Sequence, residues 1–350
     1  MVLLETERLL LRPLNWEDLE DLACIYADPR VTRYISTTGL PRSREETISF
    51  LQRITTAEKE RGLSLWAFVL KATGHLIGRG GPSFQEVEGQ EELEIGWALA
   101  YNYWGKGLAS EAARAARDYL LWDLGWERLI SIIDPPNIAS QRVAERLGSV
   151  YERDAVAFGK TCRIYALHKQ GRIPERVKTA RLIGQSPRWS DFQELDQLHQ
   201  DPRVMATLSV DGQPLGRGES LRRYWDVRDP WSRLGYGLWM FREQASGAWV
   251  GYAGLAPRQV EGVERVGLHY AVRAEFWGQG LATEMGSLAL QVGFEHLRLP
   301  EIGCWTLPEN RASQRVMEKL GFTVQRPITY AGLPHLYYQL SVANFGGIPN

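Results

Sequence analysis

Three groups of residues in this chain have the types and spacing for chemistry. The first is a glycine loop, Trp104-Gly105-Lys106-Gly107-Leu108-Ala109. Gly105 and Gly107 let the backbone turn tightly and approach a ligand without Cβ clashes. A helix expected over Gly107–Leu124 follows, and its free N–H groups and positive dipole end point at the same place. That combination reads as a cradle for a pyrophosphate or as a tight strand-to-helix turn with no ligand, and the kept second copy described below favours the cradle. The loop is not a Walker loop, because no Gly-Lys-Ser/Thr follows four intervening residues. It is not a dinucleotide fingerprint either, because the third glycine and the acidic ribose partner are missing. The second group is Asn137 with Ser140, placed as the N-cap and first turn of a short helix. The third is Glu92 with Glu94, which share one face of a strand because strand side chains alternate. Each of these carboxylates can be read as a proton acceptor or as a solvated edge residue.

The elements that position these groups occur twice. Thr6-Glu7-Arg8-Leu9 returns as Thr179-Ala180-Arg181-Leu182, and Asp28-Pro29-Arg30-Val31 as Asp201-Pro202-Arg203-Val204. The loop returns as Trp277-Gly278-Gln279-Gly280-Leu281-Ala282, and Asn137 with Ser140 as Asn310 with Ser313. Every pair is 173 residues apart, as Thr6 is from Thr179. Two copies without net insertion imply two domains of one fold, too long for solenoid units. The expected boundaries are 1–172 and 179–350, with 173–178 as linker.

Within the first copy the pattern predicts a strand at Arg8–Arg12 and a helix at Trp16–Ala27. A helix at Arg44–Arg61 ends at Gly62, and a hairpin turns at Thr73-Gly74. A strand at Glu92–Tyr101 leads into the loop helix, which buries Leu108, Ala109, Ala112, Ala113, Ala116, Tyr119 and Leu120. Glu111, Arg114, Arg117 and Asp118 fall on its polar face. A strand at Arg128–Ile133, a helix at Ala139–Leu147 stopped by Gly148, and strands at Tyr151–Phe158 and Thr161–His168 complete the unit. The order is mixed, unlike the alternation of a doubly wound sheet.

The 350 residues carry a formal net charge of −1, which gives no general electrostatic reason to bind nucleic acid or a membrane surface. Cys24, Cys162 and Cys304 have no metal-ligand spacing and read as reduced, mostly buried thiols of a cytoplasmic protein. No metal site is expected. The N-terminus has no basic leader or cleavage site, and no apolar run is long enough to span a membrane.

Trp-Gly-Lys-Gly-Leu-Ala-Ser-Glu after a strand with Glu-Ile-Gly, then Asn-x-Ala-Ser-x-Arg-Val-x-x-Arg-Leu-Gly, resembles the GCN5-related N-acetyltransferase superfamily. The opening Glu-Thr-Glu-Arg-Leu-Leu-Leu-Arg-Pro-Leu is similar to the branch that acetylates ribosomal-protein N-termini. The resemblance implies an α+β fold in each half, a mostly antiparallel sheet with helices on both faces. It implies acetyl-coenzyme A as donor. Backbone amides of Gly105, Lys106, Gly107, Leu108, Ala109 and Ser110 would bind the pyrophosphate. Those of Gly278, Gln279, Gly280, Leu281, Ala282 and Thr283 would do so in the second half. Trp97, Ala98 and Leu99, and likewise Tyr270, Ala271 and Val272, would flank the pantetheine arm. Asn137 with Ser140, and Asn310 with Ser313, would stand near pantetheine or the departing sulfur.

An amine is protonated near neutral pH and needs a proton acceptor before it can attack a thioester. Glu94 stands where the family often keeps its basic carboxylate, with Glu92 beside it. The family's usual acid, a Tyr on the last helix, is replaced by Ala144 and Met317. Ser140 and Tyr165 are weaker candidates for that role. The halves differ at the carboxylate. Gly267 matches Glu94, and His269, readable as a base by its ordinary pKa or as a partly buried strand residue, matches Gly96. The expected activity is acetyl transfer to a primary amine, a small molecule before a peptide N-terminus. One catalytic half with a non-catalytic acyl-coenzyme A-binding half is the alternative. Close packing of the two domains is a further expectation.

Overall fold

The computed structural model describes residues 4–35 and 38–346. These divide between Lys169 and Gln170 into two compact units. The first unit contains β1 (Leu4–Glu5), β2 (Leu9–Pro13), α1 (Leu19–Tyr26), α2 (Pro29–Ile35), α3 (Arg44–Arg61), β3 (Trp66–Leu70), β4 (Leu76–Val87), β5 (Gln90–Leu99), α4 (Leu108–Asp118), β6 (Arg128–Ile133), α5 (Ile138–Arg146), β7 (Val150–Ala157) and β8 (Lys160–His168). The second repeats the order. It has β9 (Arg176–Lys178), β10 (Leu182–Gln185), α6 (Phe192–Gln200), α7 (Pro202–Leu208), α8 (Arg217–Leu234), β11 (Leu238–Glu243), β12 (Trp249–Val260) and β13 (Val263–Val272). It closes with α9 (Leu281–Glu295), β14 (Glu301–Thr306), α10 (Arg311–Lys319), β15 (Thr323–Tyr330) and β16 (Leu333–Ser341).

Each unit is one eight-stranded sheet, ordered β1-β2-β3-β4-β5-β6-β8-β7 and, from the opposite edge, β15-β16-β14-β13-β12-β11-β10-β9. All neighbours are antiparallel except β5 with β6 and β13 with β14. Parallel neighbours cannot be joined by a tight turn and need a crossover helix. The chain therefore leaves β5, turns through the glycine loop and runs down α4 before entering β6. The duplication extends to register. Glu94 pairs with Ile130 in one unit, and Gly267, 173 positions on, pairs with Gly303 in the other.

Helices cover both faces of the first sheet. Leu22, Ile25 and Tyr26 of α1 and Phe50, Leu51 and Ile54 of α3 pack with Ala67 and Val69 of β3. On the opposite face Trp66 meets Tyr119, beyond the end of α4, ring to ring at 6.0 Å. Gly62 ends α3 in the left-handed region, as expected, and Ser43 and Glu46 form a capping box at its start.

Four features depart from the sequence reading. The segment after Asp28, a recognised repeat with no assigned structure, is helix α2. The loop helix is α only to Asp118, and Tyr119–Asp123 widens into a π turn. Arg117 and Asp118, assigned to the polar face, are fully buried. Arg117 Nε donates to Asp118 at 2.7 Å and its Nη1 to the Leu147 carbonyl at 2.7 Å, so the end of α5 supplies the partner that water would have been. Finally, residues 173–178 are not a free linker: Ile173 and Val177 are buried, and Arg176–Lys178 adds an edge strand to β10. Of the thiols, Cys162 and Cys304 are buried and Cys24 is exposed.

Candidate functional site

The glycine loop turns because Gly105 and Gly107 both lie in the left-handed region, at φ 73° and 76°. Gly278 and Gly280 do the same at 75° and 78°. L-residues pay roughly 1–2 kcal/mol for that conformation. A Cβ at Gly105 or Gly278 would meet nothing within 4 Å. Backbone geometry, and not crowding by the protein, therefore selects glycine, and the space above the loop is open. Gly107 and Gly280 cap α4 and α9 without a side-chain acceptor, so the first-turn amides face that space.

Two ties hold each loop in place. Trp104 Nε1 donates to the Leu99 carbonyl at 2.8 Å, and Trp277 Nε1 to Val272 at 2.8 Å. The second tie reaches from the first-turn glutamate of the loop helix to the opening of the unit. Glu111 accepts from Thr6 Oγ1 at 2.6 Å, the Arg8 amide at 2.9 Å and Arg8 Nε at 2.7 Å, while Arg8 Nη1 donates to the Lys106 carbonyl at 2.9 Å. Glu284, Thr179, Arg181 and Gln279 repeat every one of these bonds. Both motifs are legible in the sequence, and their connection is not. Its signal was a Thr-x-Arg and a Glu kept in both copies.

β5 and β6 share the single pair Glu94–Ile130. Trp97, Ala98 and Leu99 are thus laddered to β4 on one side only, as Tyr270, Ala271 and Val272 are to β12. Asn137 accepts from the Ser140 amide at 3.1 Å, and Asn310 from Ser313 at 3.0 Å, so both asparagines are helix caps. The hydroxyl of Ser313 is engaged by Tyr270 at 2.8 Å. The first unit has Trp97 at the matching position. Ala144 and Met317 are wholly buried and offer no acid. Tyr165 is buried and donates to Gln141 at 3.2 Å.

The two expected carboxylates divide. Glu92 is held by Arg128 through two bonds of 3.1 Å, and Arg128 also bonds Glu152 at 2.8 Å. Glu92 is therefore an ion-pair member and not a free proton acceptor. Glu94 is recessed. Burial raises its carboxyl above the usual carboxylate range, against opposing pulls from Ser83, Arg79, the Ile132 amide and Gln85. Ser83 Oγ donates to Glu94 Oε2 at 3.0 Å and itself accepts from Gln85 Nε2 at 3.1 Å, which orients the hydroxyl toward the carboxylate.

The second unit rebuilds this place. A Cβ on Gly267 would stand 2.7 Å from the Trp305 ring and 3.2 Å from His269 Nε2. The indole and imidazole thus occupy the room where the first unit puts its glutamate side chain. Burial, reinforced by Arg258, lowers the His269 imidazole to about 3, so the ring is neutral at ordinary pH. Its Nε2 has no hydrogen-bond partner. A cavity of about 1370 Å³ joins this spot to Gly278, Gly280, Asn310 and Ser313.

Among the described residues no group of three or more His, Cys, Asp or Glu could hold a metal ion, and no helix is long and apolar enough to cross a membrane. The model of the acetyltransferase (GNAT) domain matches residues 8–150 and, again, 181–323. The uncharacterized protein YkkB of Bacillus subtilis is 36% identical over 163 residues, 46% of this chain and 93% of that protein. The uncharacterized N-acetyltransferase p20 of Bacillus licheniformis is 32% identical over 147 residues, covering 42% of this chain and 82% of its own length. A solved acetyltransferase from Agrobacterium tumefaciens is 30% identical, spanning 48% of this chain and 95% of that one, with a TM-score of 0.43. Each relative thus corresponds to about one half of the chain.

Proposed function

The chain belongs to the GNAT acetyltransferase family in both of its halves, and we propose that its first unit acetylates a primary amine of a small molecule with Glu94 as the base. Acetyl-coenzyme A is the family's donor, and it supplies the electrophilic thioester. The residues present suit it: the open space above the left-handed glycines admits a pyrophosphate against the amides of residues 105–110 and 278–283. The one-sided edges at Trp97–Leu99 and Tyr270–Val272 leave backbone groups for a pantetheine arm.

The observation that carries the proposal is Glu94. A carboxylate with a raised pKa is a better proton acceptor near neutral pH than an ordinary one. Ser83 and Gln85 hold it in one orientation, and it stands on the strand that leads directly into the cradle. In this reading Glu94 takes the proton of the bound ammonium so that the free amine faces the thioester. A recessed carboxylate favours an amine that can be enclosed over a bulky peptide end.

The second unit keeps the cradle and lacks the carboxylate. A neutral imidazole lowered to about 3 is a hydrogen-bond acceptor that holds a proton poorly. We therefore assign donor binding, and not amine turnover, to the second unit. The test is release of coenzyme A thiol from acetyl-coenzyme A with a panel of small amines and N-terminal peptides. Turnover with a small amine that collapses in Glu94→Gln, with donor affinity intact, supports the assignment. No release with any acceptor, or full activity in Glu94→Gln, would sink it.

A further inference from the structure

The two units carry opposite charges on the same stretch of sheet. Arg258 and His269 of the second unit share a face with Ala256 and Gly267, since Gly254 pairs with His269, Ala256 with Gly267 and Arg258 with Arg265. The first unit has Gln85, Gly96, Ser83 and Glu94 at those four positions. Where one unit presents a carboxylate, the other presents a guanidinium.

Arg258 is half-buried, lines the cavity and has no carboxylate partner among the described residues; its one bond goes to the Pro257 carbonyl at 3.0 Å. Two other arginines of the wall are tied to carboxylates. Arg203 is paired with Asp201 at 2.6 Å and Arg233 with Asp229 at 3.2 Å. Glu264, which also lines the cavity, springs from the opposite face of β13 and is not bonded to Arg258. Next to Arg258 the wall is aromatic. His269 packs on Trp305 at 5.2 Å, Trp305 on Tyr330 at 5.2 Å and Tyr330 on His335 at 5.5 Å. The first unit has Gly96, Ile132, Ala157 and Cys162 there.

We propose that the cavity of the second unit binds a small carboxylate that bears a flat apolar group, with Arg258 on the carboxylate and the Trp305 cluster on the flat group. An unpaired guanidinium at a recessed site selects a carboxylate by charge-assisted, two-pronged hydrogen bonding. The ring cluster supplies faces and edges for stacking. A cationic amine, the acceptor proposed for the first unit, is disfavoured here by that same charge. The inference extends the division of labour proposed above. Its test reads binding and needs no turnover, so the two can fail separately.

The experiment is calorimetric titration of phenylacetate, benzylamine and benzyl alcohol into the full chain saturated with acetyl-coenzyme A. Phenylacetate is expected to bind once per chain, at least about tenfold more tightly than either isostere, as loss of a charge-assisted bond predicts. Arg258→Gln should weaken it about 10- to 100-fold, Arg258→Lys should recover part of that loss, and Trp305→Ile should weaken it about tenfold. Glu94→Gln should leave it unchanged. Thermal melts confirm that the variants fold. Absence of phenylacetate binding, equal binding to Arg258→Gln, or a preference for benzylamine would each overturn the proposal.

Discussion

The two units share strand order, strand register, left-handed glycines and the Thr-Arg-Glu tie, and they part company on the stretch of sheet around Glu94 and Gly267. What is common to both is the backbone and the side-chain ties that hold the loop; what differs is the set of side chains on the sheet beside it. A nearby ion pair shows the same reversal. Glu92 and Arg128 bond in the first unit, and at the matching positions Arg265 and Glu301 bond at 3.3 Å with the signs exchanged. An ion pair survives a swap of its ends, because the attraction depends on the product of charges. A lone proton acceptor does not survive replacement by glycine. The comparison teaches that a loop fixed by backbone geometry can be kept while the side chains on the sheet beside it change.

The largest test of this comparison is to fill one cradle at a time. Gly107→Trp should abolish turnover and leave one donor site in calorimetry, while Gly280→Trp should also leave one site with turnover retained. Loss of activity in Gly280→Trp instead would reverse the roles given to the units.

Next in size is the base. Glu94→Gln should cut kcat by about 10²- to 10⁴-fold, the usual worth of a positioned general base. The pH profile gives the sign. Glu94 acts when ionised and its pKa is raised, so kcat should climb with pH through a limb above the normal carboxylate range. A residual rate in Glu94→Gln should lack that limb. Were the limb to persist, the titrating base would lie elsewhere.

A smaller effect is expected at the shared tie. Glu111→Gln loses the charge that holds Arg8 against the Lys106 carbonyl, and acetyl-coenzyme A affinity of the first unit should fall about tenfold, the scale of one charge-assisted bond. Glu284→Gln should do the same to the second unit alone. Unequal results would show that the loops, alike in geometry, differ in what stabilises them.

The smallest is a stability difference. His199 and His269 are both lowered to about 3 by burial, and the first unit has Tyr26 and Gly96 in their places. A depressed histidine contributes stability that is present above its ordinary value of about 6.5 and is lost as pH falls toward 3. Hydrogen exchange between pH 7 and 4 should therefore show protection declining first in the second unit. Equal decline in both units would remove these histidines as the cause.

Much of the local architecture could be read before folding. The glycine loops, the Asn137 and Asn310 caps, the capping box of α3 and its Gly62 stop all work within a turn of chain, so residue type and neighbours suffice. The strand carrying Glu94 was legible from its alternation. Helix α2 was not, because its short Pro-Arg-Val run lacks a clear apolar stripe and is held by packing on α1. The burial of Arg117 with Asp118 ran against amphipathic logic, since its partner, the Leu147 carbonyl, lies 30 residues away.

By itself the sequence determined that there are two copies of one fold and where the two loops need glycine. Those are properties of φ, of spacing and of helix ends. Only the tertiary structure decided which of two adjacent glutamates is tied up by an arginine and which is recessed with a raised pKa. It also decided that Trp305 and His269 fill the room left by Gly267. A carboxylate's fate depends on desolvation and on partners brought from distant strands, and neither is written in its neighbours along the chain.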